Sequence, residues 1–202
     1  MGRRRSSDSH ASPDDPPWLI VGLGNPGPEY SGNRHNVGYL VVERLAGEGA
    51  KFKAHKRARA LTWEGRVAGR RVVLVKPTTY MNDSGQAVAA LCSFYKITPD
   101  RVLAIHDELD LPFGSLRLKY GGGDNGHNGL KSLRRSLGTG EFYRARLGIG
   151  RPPGRMDPSA FVLRDFSAAE RTEVPHLVER VADAVTALLE EGLDRAQSQF
   201  ND

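Results

Sequence analysis

Short apolar runs bounded by glycine and proline alternate along the chain with segments whose apolar residues repeat at helical spacing. Residues 18–23 form the first such run and predict a buried strand, and residues 37–45 predict the helix that follows it. Further strands are predicted at residues 60–67, 71–75, 102–106, 115–119 and 143–149. Strands interleaved with helices predict an α/β fold in which helices pack on a mixed sheet.

Three further stretches carry helical signals. Apolar residues at helical spacing begin at Met81, and residues 128–137 form a second stretch of this kind. Ser167 and Glu170 make a capping-box pattern ahead of a long apolar periodicity. Pro175 falls inside that periodicity, so we expect it to kink the helix or to split off its first turn.

The chain has 202 residues, enough for one well-cored domain but not for two. Residues 1–16 are rich in Ser, Arg, Asp and Pro without periodicity, which predicts a disordered tail ahead of one domain over 17–202. No apolar run is long enough for a membrane span, and the start of the chain lacks the apolar segment of a secretory signal. A lone cysteine, Cys92, fits a reducing compartment. We expect a cytoplasmic protein without membrane association, acting as a monomer.

The chain carries 29 basic and 24 acidic residues, a net charge of +5. Charges within residues 1–17 cancel, so the surplus lies on the predicted domain. A basic domain favours a polyanionic partner such as RNA. Charge alone does not decide the partner, because many basic proteins never contact nucleic acid.

Polar side chains follow the predicted strands. Asn25 comes just after the first strand and Asp107 at the end of the strand at 102–106, so both are expected at one edge of the sheet. His35 follows Asn25 closely in sequence. Imidazole titrates near neutral pH, a carboxylate can fix its tautomer, and amides bind acyl oxygens without competing for protons. Because neither a serine elbow nor a cysteine nucleophile accompanies them, these residues predict a hydrolytic site in which water is the nucleophile.

Each of these signals also has a structural interpretation. An isolated histidine at a helix start is usually an ordinary hydrogen-bonding residue, and the same holds for His106 and His127. Residues 76–82 could form a loop that ends in a helix cap at Asn82 or Ser84. No zinc site is predicted, because one cysteine and dispersed histidines supply no tetrahedral ligand set.

The glycines of a strand-following Gly-x-Gly-x-x-Gly pattern, Gly22, Gly24 and Gly27, leave a dinucleotide-dependent oxidoreductase as an alternative. That pattern needs glycines that run directly into a helix whose amides bind pyrophosphate. Here Pro26 removes an amide donor, and the helical pattern begins only after Arg34. The glycine-rich segment 121–129 lacks the Gly-Lys-Ser/Thr ending of a P-loop, so nucleotide hydrolysis is disfavoured as well.

Six motifs stand in unbroken order along the chain: Gly24-Asn25-Pro26-Gly27, Arg34-His35-Asn36, Lys76-Pro77-Thr78-Thr79-Tyr80-Met81-Asn82, His106-Asp107-Glu108-Leu109-Asp110, Gly126-His127-Asn128-Gly129-Leu130-Lys131 and Arg146-Leu147-Gly148-Ile149-Gly150. Together they resemble the bacterial-type peptidyl-tRNA hydrolase family over residues 18–192. The resemblance implies a single α/β domain whose twisted mixed β-sheet is flanked by helices on both faces. It also implies hydrolysis of the ester between a peptide and tRNA, a ribosome-rescue activity that recycles tRNA from peptidyl-tRNA, with no metal and no cofactor.

The resemblance assigns roles by position. His35 is similar to the family's general base, Asp107 to the carboxylate that orients it, and Asn25 to the amide that contacts the blocked amino end of the peptide. The remaining matches are residues that bind substrate or tRNA: Met81, Asn82 and Asn128 in the site, Tyr30 and Tyr80 at the tRNA end, and Lys119 and Arg146 at the 5′ phosphate of tRNA.

Two features depart from the family pattern. Asp124 and Asn125 stand where many members carry glycine or another small residue, which puts an acid beside a loop expected to face RNA. The tail, residues 1–16, has no counterpart in the family. A catalytically inactive RNA-binding relative is the remaining alternative, and the presence of the full set of catalytic residues argues against it.

Overall fold

The computed structural model describes residues 14–202. The helices are Val37–Ala46 (α1), Ser84–Tyr95 (α2), Asn128–Leu137 (α3), Pro158–Val162 (α4), Ala168–Glu191 (α5) and Leu193–Phe200 (α6). The strands are Trp18–Gly22 (β1), Lys53–Ala54 (β2), Ala60–Val67 (β3), Arg70–Pro77 (β4), Val102–Glu108 (β5), Leu116–Tyr120 (β6) and Tyr143–Gly148 (β7). Every strand and helix predicted from the sequence is present, and β3 and α3 have the predicted ends.

The seven strands form one sheet in the order β2-β3-β4-β1-β5-β7-β6. β1 pairs in parallel with β4 and with β5, and β5 with β7, whereas β3 and β6 pair antiparallel with β4 and β7. The chain therefore leaves β1 toward one side of the sheet and later returns to β5 on its other side. Such a change of direction opens a crevice at the carboxyl ends of the central strands, where α/β proteins bind ligands.

Helices cover both faces of the sheet. The core on one face includes Val41 of α1 and Val181 of α5, and the core on the other includes Val88 of α2 and Leu130 of α3. Alternate residues of the central strands contribute to the two cores, as expected for strands buried on both faces. The predicted α/β fold with a mixed sheet between helical layers is confirmed.

The C-terminal residues cover the edge strand β6. The side chains of Asn201 and Asp202 accept hydrogen bonds from the N–H groups of Leu118 at 2.6 Å and Leu116 at 2.9 Å. These bonds occupy donors that an open edge would offer to another chain. The sequence did not predict α6 or α4, because helices of eight and five residues carry little apolar periodicity.

α5 continues through Pro175 as one helix, so the expected splitting of its first turn is wrong. Its start has the predicted capping box of Ser167 and Glu170. Pro175 and Arg171 are both exposed, so the Arg171 carbonyl, which proline deprives of its helical hydrogen bond, can bind water. Burial of residues from Val174 onward stabilises the continuous helix despite that lost bond.

Most of the predicted disordered tail, residues 1–16, lies outside the described residues, which begin at residue 14. Of its last three residues, Pro16 accepts a hydrogen bond from Arg101 at 2.7 Å. No helix among the described residues is long and apolar enough to cross a membrane.

Candidate active site

Three central strands bring polar residues to one edge of the sheet. Asn25 follows β1, Met81 follows β4, and Asp107 lies near the end of β5. His35 reaches the same place from a 3-10 turn, Arg34–Asn36, directly before α1. The structure therefore brings together the residues that the sequence placed in one site.

Close packing of α1 against the sheet sets the position of His35. A Cβ on Gly22 would lie 2.2 Å from the carbonyl oxygen of Gly38, and a Cβ on Gly38 would lie 2.4 Å from a carbonyl oxygen of β5. Glycine at both positions lets the helix approach the strands this closely. On the other side of the turn, Arg34 is buried and forms an ion pair with Glu170 at 2.7 Å.

His35 and Asp107 form a buried pair. Nδ1 of His35 lies 2.9 Å from both carboxylate oxygens of Asp107. Because an ionised carboxylate only accepts hydrogen bonds, Nδ1 carries the proton and donates it. Nε2 of His35 then keeps its lone pair and has no hydrogen-bond partner among the described residues. This is the protonation state that a general base requires.

A second histidine donates to the same carboxylate. Nε2 of His127 lies 2.9 Å from Oδ1 of Asp107, while its Nδ1 accepts from the N–H groups of Gly129 and Leu130 at 3.1 and 3.4 Å. An accepting Nδ1 is unprotonated, so Nε2 carries the proton and donates it to Asp107. With both ring nitrogens occupied, His127 caps α3 and positions Asp107.

These contacts shift the pKa values of the pair in opposite directions. Burial raises the pKa of Asp107, but the two imidazoles outweigh it and hold the pKa well below its ordinary value. Burial lowers the pKa of His35, but the charge and hydrogen bond of Asp107 outweigh it and place the pKa above the ordinary 6.5. Asp107 thus stays ionised and stabilises the imidazolium that forms when His35 accepts a proton.

His106 fits the structural interpretation. It is fully buried, and its Nδ1 donates to the carbonyl oxygen of Asp107 at 2.8 Å. Its ring packs edge-to-face on His127, with 4.9 Å between the centroids. Burial, and then the proximity of His127, lowers the pKa of His106 to about 3, so this side chain is neutral at physiological pH.

Asn25 presents an amide donor to the site. Its Oδ1 accepts from the Met81 N–H at 2.7 Å, which leaves its Nδ2 group without a partner among the described residues. The side chain of Asn36 holds the Asn25 backbone by accepting from its N–H and donating to its carbonyl oxygen, both at 2.9 Å. Asn36 is therefore a positioning residue to which sequence analysis gave no role.

A cleft of about 590 Å³ opens over His35 and Asp107. Of the residues predicted to bind substrate or tRNA, Lys119 and Arg146 do not line this cleft, whereas the others do: Tyr30, Tyr80, Met81, Asn82 and Asn128. The rings of Tyr30 and Tyr80 meet edge-to-face with 6.5 Å between centroids, and Tyr80 is 62% exposed. α4, which sequence patterns missed, contributes Val162 to the lining.

The same histidines and carboxylate could ligate a metal ion. Potential ligand atoms of His35, Asp107 and His127 lie within 4.8 Å of one another. Both N–H groups that face Asp107 already donate to it, so a metal ion between them would have to displace two protons. The hydrogen bonds satisfy these atoms without an ion.

The sequence matches the peptidyl-tRNA hydrolase family over residues 19–202. This chain belongs to the peptidyl-tRNA hydrolase family. It is 58% identical over 189 residues to the peptidyl-tRNA hydrolase of Frankia alni, covering 93% of this chain and 95% of that protein. The peptidyl-tRNA hydrolase of Streptomyces coelicolor is also 58% identical, over 191 residues that cover 92% of this chain and 95% of that protein.

A solved structure agrees with the sequence comparison. The crystal structure of peptidyl-tRNA hydrolase from Acinetobacter baumannii has a TM-score of 0.85 at 39% identity, covering 92% of this chain and 94% of that one. The predicted family is confirmed.

In this member of the peptidyl-tRNA hydrolase family, the Gly-x-Gly-x-x-Gly pattern does not open a helix. Gly27 has a φ of 112° and precedes a 3-10 turn, Pro28–Tyr30, whereas α1 begins only at Val37. The helix N-terminus that would bind pyrophosphate is therefore displaced from the glycines. Gly22 instead allows α1 to pack closely on β1, so the geometry disfavours the oxidoreductase alternative.

The two cations predicted to bind phosphate lie on β6 and β7 and are not part of the cleft lining. Lys119 of β6 pairs with Arg144 of β7, and Arg117 with Arg146, so all four side chains share one face of the sheet. Nη2 of Arg146 lies 3.0 Å from a carboxylate oxygen of Glu108, which is buried and lines the cleft. Lys119 makes no ion pair with any described residue.

The two residues that depart from the family pattern are held by local contacts. Asp124 forms an ion pair with Arg134 at 2.8 Å, which compensates its negative charge. Asn125 has a φ of 51°, which asparagine tolerates better than most residues, and it donates to Glu108 and to Asp110. These bonds tie the glycine-rich segment to the end of β5.

Proposed function

We propose that this chain hydrolyses the ester bond between a peptide and tRNA, with water as the nucleophile and His35 as the general base. The observation that carries the proposal is the buried His35–Asp107 pair, which leaves Nε2 of His35 unprotonated beside a cleft lined by amides. Membership of the peptidyl-tRNA hydrolase family supports both the substrate and the reaction. The activity would recycle tRNA from peptidyl-tRNA released before translation is complete.

The reaction begins with attack of water on the ester carbonyl carbon. Nε2 of His35 accepts a proton from this water as its oxygen bonds to the carbon, and Asp107 stabilises the resulting imidazolium. The tetrahedral intermediate then collapses as its bond to the ribose oxygen breaks, and the imidazolium returns the proton to that oxygen. The products are the free peptide acid and tRNA with a free ribose hydroxyl.

Side-chain amides supply hydrogen-bond donors for the oxygens of the substrate. Asn25, Asn82 and Asn128 line the cleft, and their NH₂ groups donate hydrogen bonds without ionising at neutral pH. We assign Asn25 to the carbonyl of the first peptide bond, and Asn82 and Asn128 to substrate or to the attacking water. Donors placed near a developing oxyanion lower the barrier to its formation.

The tRNA part of the substrate is proposed to bind two groups of residues. Tyr30 and Tyr80 offer aromatic rings at the cleft for the terminal nucleotide. Lys119 and Arg146 are assigned to the 5′ phosphate, which a lysine contacts as a point charge and an arginine as a planar fork. Arg146 then shares its guanidinium between the phosphate and Glu108.

Hydrolysis of N-acetylated aminoacyl-tRNA tests the proposed function. We expect repeated turnover that releases the N-acetylated amino acid, and much slower cleavage of the same tRNA when its amino group is free. An inactive RNA-binding relative would bind the acetylated substrate without consuming it. Binding without turnover by the unaltered protein would contradict the proposal.

Asn25→Ala is expected to reduce selectivity for substrates with a blocked amino group. Only a blocked substrate offers a carbonyl to the free Nδ2 donor of Asn25, so only that substrate loses a hydrogen bond when the donor is removed. We expect kcat/KM for N-acetylaminoacyl-tRNA to fall by about tenfold or more. Slow hydrolysis of free aminoacyl-tRNA should hardly change, so the ratio of the two kcat/KM values is the measurement.

Asn25→Asp is the matched control for this prediction. Aspartate keeps the oxygen that accepts from the Met81 N–H but removes the NH₂ donor. If the donor matters, selectivity falls in both variants. If Asn25→Asp keeps the ratio of the unaltered enzyme, or both substrates lose rate in proportion in Asn25→Ala, the assigned role is wrong.

We further propose that the protein acts as a cytoplasmic monomer. The residues assigned to catalysis, His35, Asp107 and Asn25, lie together at one cleft within a single chain. The lone cysteine is buried and unpaired, which suits a reducing compartment. Light scattering at assay concentrations would test the oligomeric state, and a dimeric mass would contradict it.

A further inference from the structure

Arg144 is a buried arginine without an acidic partner. Its side chain is 1% exposed, and no carboxylate of the described residues lies within ion-pair distance. Its guanidinium instead donates to three backbone carbonyls, those of Gly121, of Gly122 at 2.9 Å and of Gly140 at 3.3 Å. Its Nε is buried without a hydrogen-bond partner. The guanidinium also lies over the ring of Phe142, 4.3 Å from its centroid, so carbonyl oxygens and an aromatic face compensate its charge in place of a carboxylate.

The charge of Arg144 persists at neutral pH. Burial, and then repulsion by Arg134 and Arg146, lowers its pKa to about 10. Lys119 lies opposite Arg144 on the neighbouring strand. The carboxylate of Glu141 beside Gly121 offsets part of this charge, and Asp124 is already paired with Arg134, so one positive charge of Lys119 and Arg144 is left for a bound anion to compensate.

The contacts of Arg144 determine which polar groups of the glycine loop remain free. The carbonyl oxygens of Gly121 and Gly122 are bound by its guanidinium. The N–H groups of Gly122 and Gly123 make no hydrogen bond to any described residue, and both glycines are exposed. Gly122 has a φ of 107°, and a Cβ built on it would lie 2.6 Å from Nζ of Lys119. The ammonium of Lys119 therefore contacts the loop at Gly122.

We infer that Arg144 is a positioning residue that shapes Lys119 and the amides of Gly122 and Gly123 into one phosphate-binding surface. The inference rests on the proposed function, in which Lys119 meets the 5′ phosphate of tRNA. Carbonyl oxygens at this surface would repel phosphate, and Arg144 binds them, whereas free N–H groups and an ammonium attract an anion. Arg144 is too buried to reach RNA, so it acts through the loop and Lys119.

A purely structural role for Arg144 predicts a different experimental result. Arg144 also joins the glycine loop to Gly140 before β7, and loss of this connection alone would lower stability without regard to phosphate. The two roles are separated by comparing N-acetylaminoacyl-tRNA that carries a 5′ phosphate with the same molecule that carries a 5′ hydroxyl.

We expect the unaltered enzyme to have a KM about tenfold lower for the 5′-phosphorylated substrate, as for one charge-assisted contact. Arg144→Lys keeps the charge but replaces the planar guanidinium, whose two Nη atoms donate to separate carbonyls, with a single ammonium. Gly122→Ala places a methyl group where Nζ of Lys119 lies. Both variants should bring the ratio of KM values toward one, as should Lys119→Ala. Gly138→Ala is the matched control, because Gly138 also has a positive φ, 72°, but a Cβ there meets nothing within 4 Å. Its ratio should remain about tenfold.

Folded Arg144→Lys and Gly122→Ala enzymes that keep the tenfold ratio would overturn the inference, whatever their stability. If Arg144→Lys fails to fold, the KM ratio of Gly122→Ala decides whether the loop and Lys119 form the phosphate-binding surface that the inference requires. A ratio near one in the unaltered enzyme would also overturn it, together with the proposed phosphate contact of Lys119. Ester hydrolysis by that same enzyme would show that the proposed function still stands.

Discussion

His35→Ala is expected to lower kcat by about 10²-fold to 10⁴-fold, the usual contribution of a general base. The variant loses the nitrogen that accepts the proton of the attacking water, whereas the cations and tyrosines proposed to bind tRNA are untouched. Affinity for tRNA should therefore stay close to that of the unaltered protein. The variant should still unfold cooperatively, but at a lower temperature, because the buried Asp107 carboxylate loses a hydrogen bond. Single-turnover hydrolysis of N-acetylaminoacyl-tRNA, with tRNA binding measured in parallel, gives both quantities.

His176→Ala is the matched control for this loss, because His176 is exposed on α5 and lies outside the cleft. Its kcat should equal that of the unaltered enzyme. A His35→Ala enzyme with nearly normal kcat would remove His35 from the mechanism and leave water activation to another group.

Asp107→Asn is expected to cause a large loss of kcat, comparable to or smaller than that of His35→Ala. The amide has the shape of the carboxylate but lacks the charge that stabilises the imidazolium. Because His35 and Asp107 act as one unit, the double variant should be hardly slower than His35→Ala alone. If the losses of the two single variants add strictly in the double variant, Asp107 does not act through His35.

The pH profile provides a second measurement on Asp107→Asn. Only neutral His35 accepts a proton, so the kcat/KM of the unaltered enzyme should fall as pH drops through a pKa above 6.5. Asp107 causes that increase, and without its charge burial lowers the pKa of His35. The acid limb of Asp107→Asn should therefore lie at lower pH than that of the unaltered enzyme. Asp110→Asn, which removes a nearby exposed carboxylate paired with Arg151, should leave the limb in place.

Much of the fold was predictable because its signals are local. The ends of β3 and α3 follow from apolar periodicity and from the turns that flank them. The continuity of α5 through Pro175 could not be predicted, because the effect of proline depends on whether the carbonyl it leaves free faces solvent. The helix α4 adds Val162 to the cleft but is too short to show a pattern.

The positions of the catalytic residues could be inferred as well, since parallel strands deliver their carboxyl ends to one edge. On this ground alone, Asn25 and Asp107 are predicted to lie close together. Their orientation could not be inferred. His127 and Asn36 looked like ordinary polar residues, and only their hydrogen bonds to Asp107 and Asn25 reveal what they position.

The sequence by itself determined the type and order of most elements, the edge of the sheet that carries the site, and the family. The tertiary structure alone decided the tautomers of His35 and His127, the free donor of Asn25 and the buried charge of Arg144. These properties depend on distances between atoms of residues far apart in the chain, such as the 2.9 Å between His35 and Asp107, which are 72 positions apart. They also depend on burial, which sets the balance between desolvation and hydrogen bonding for each polar group. Local patterns carry neither quantity, because both arise only when the strands and helices pack together.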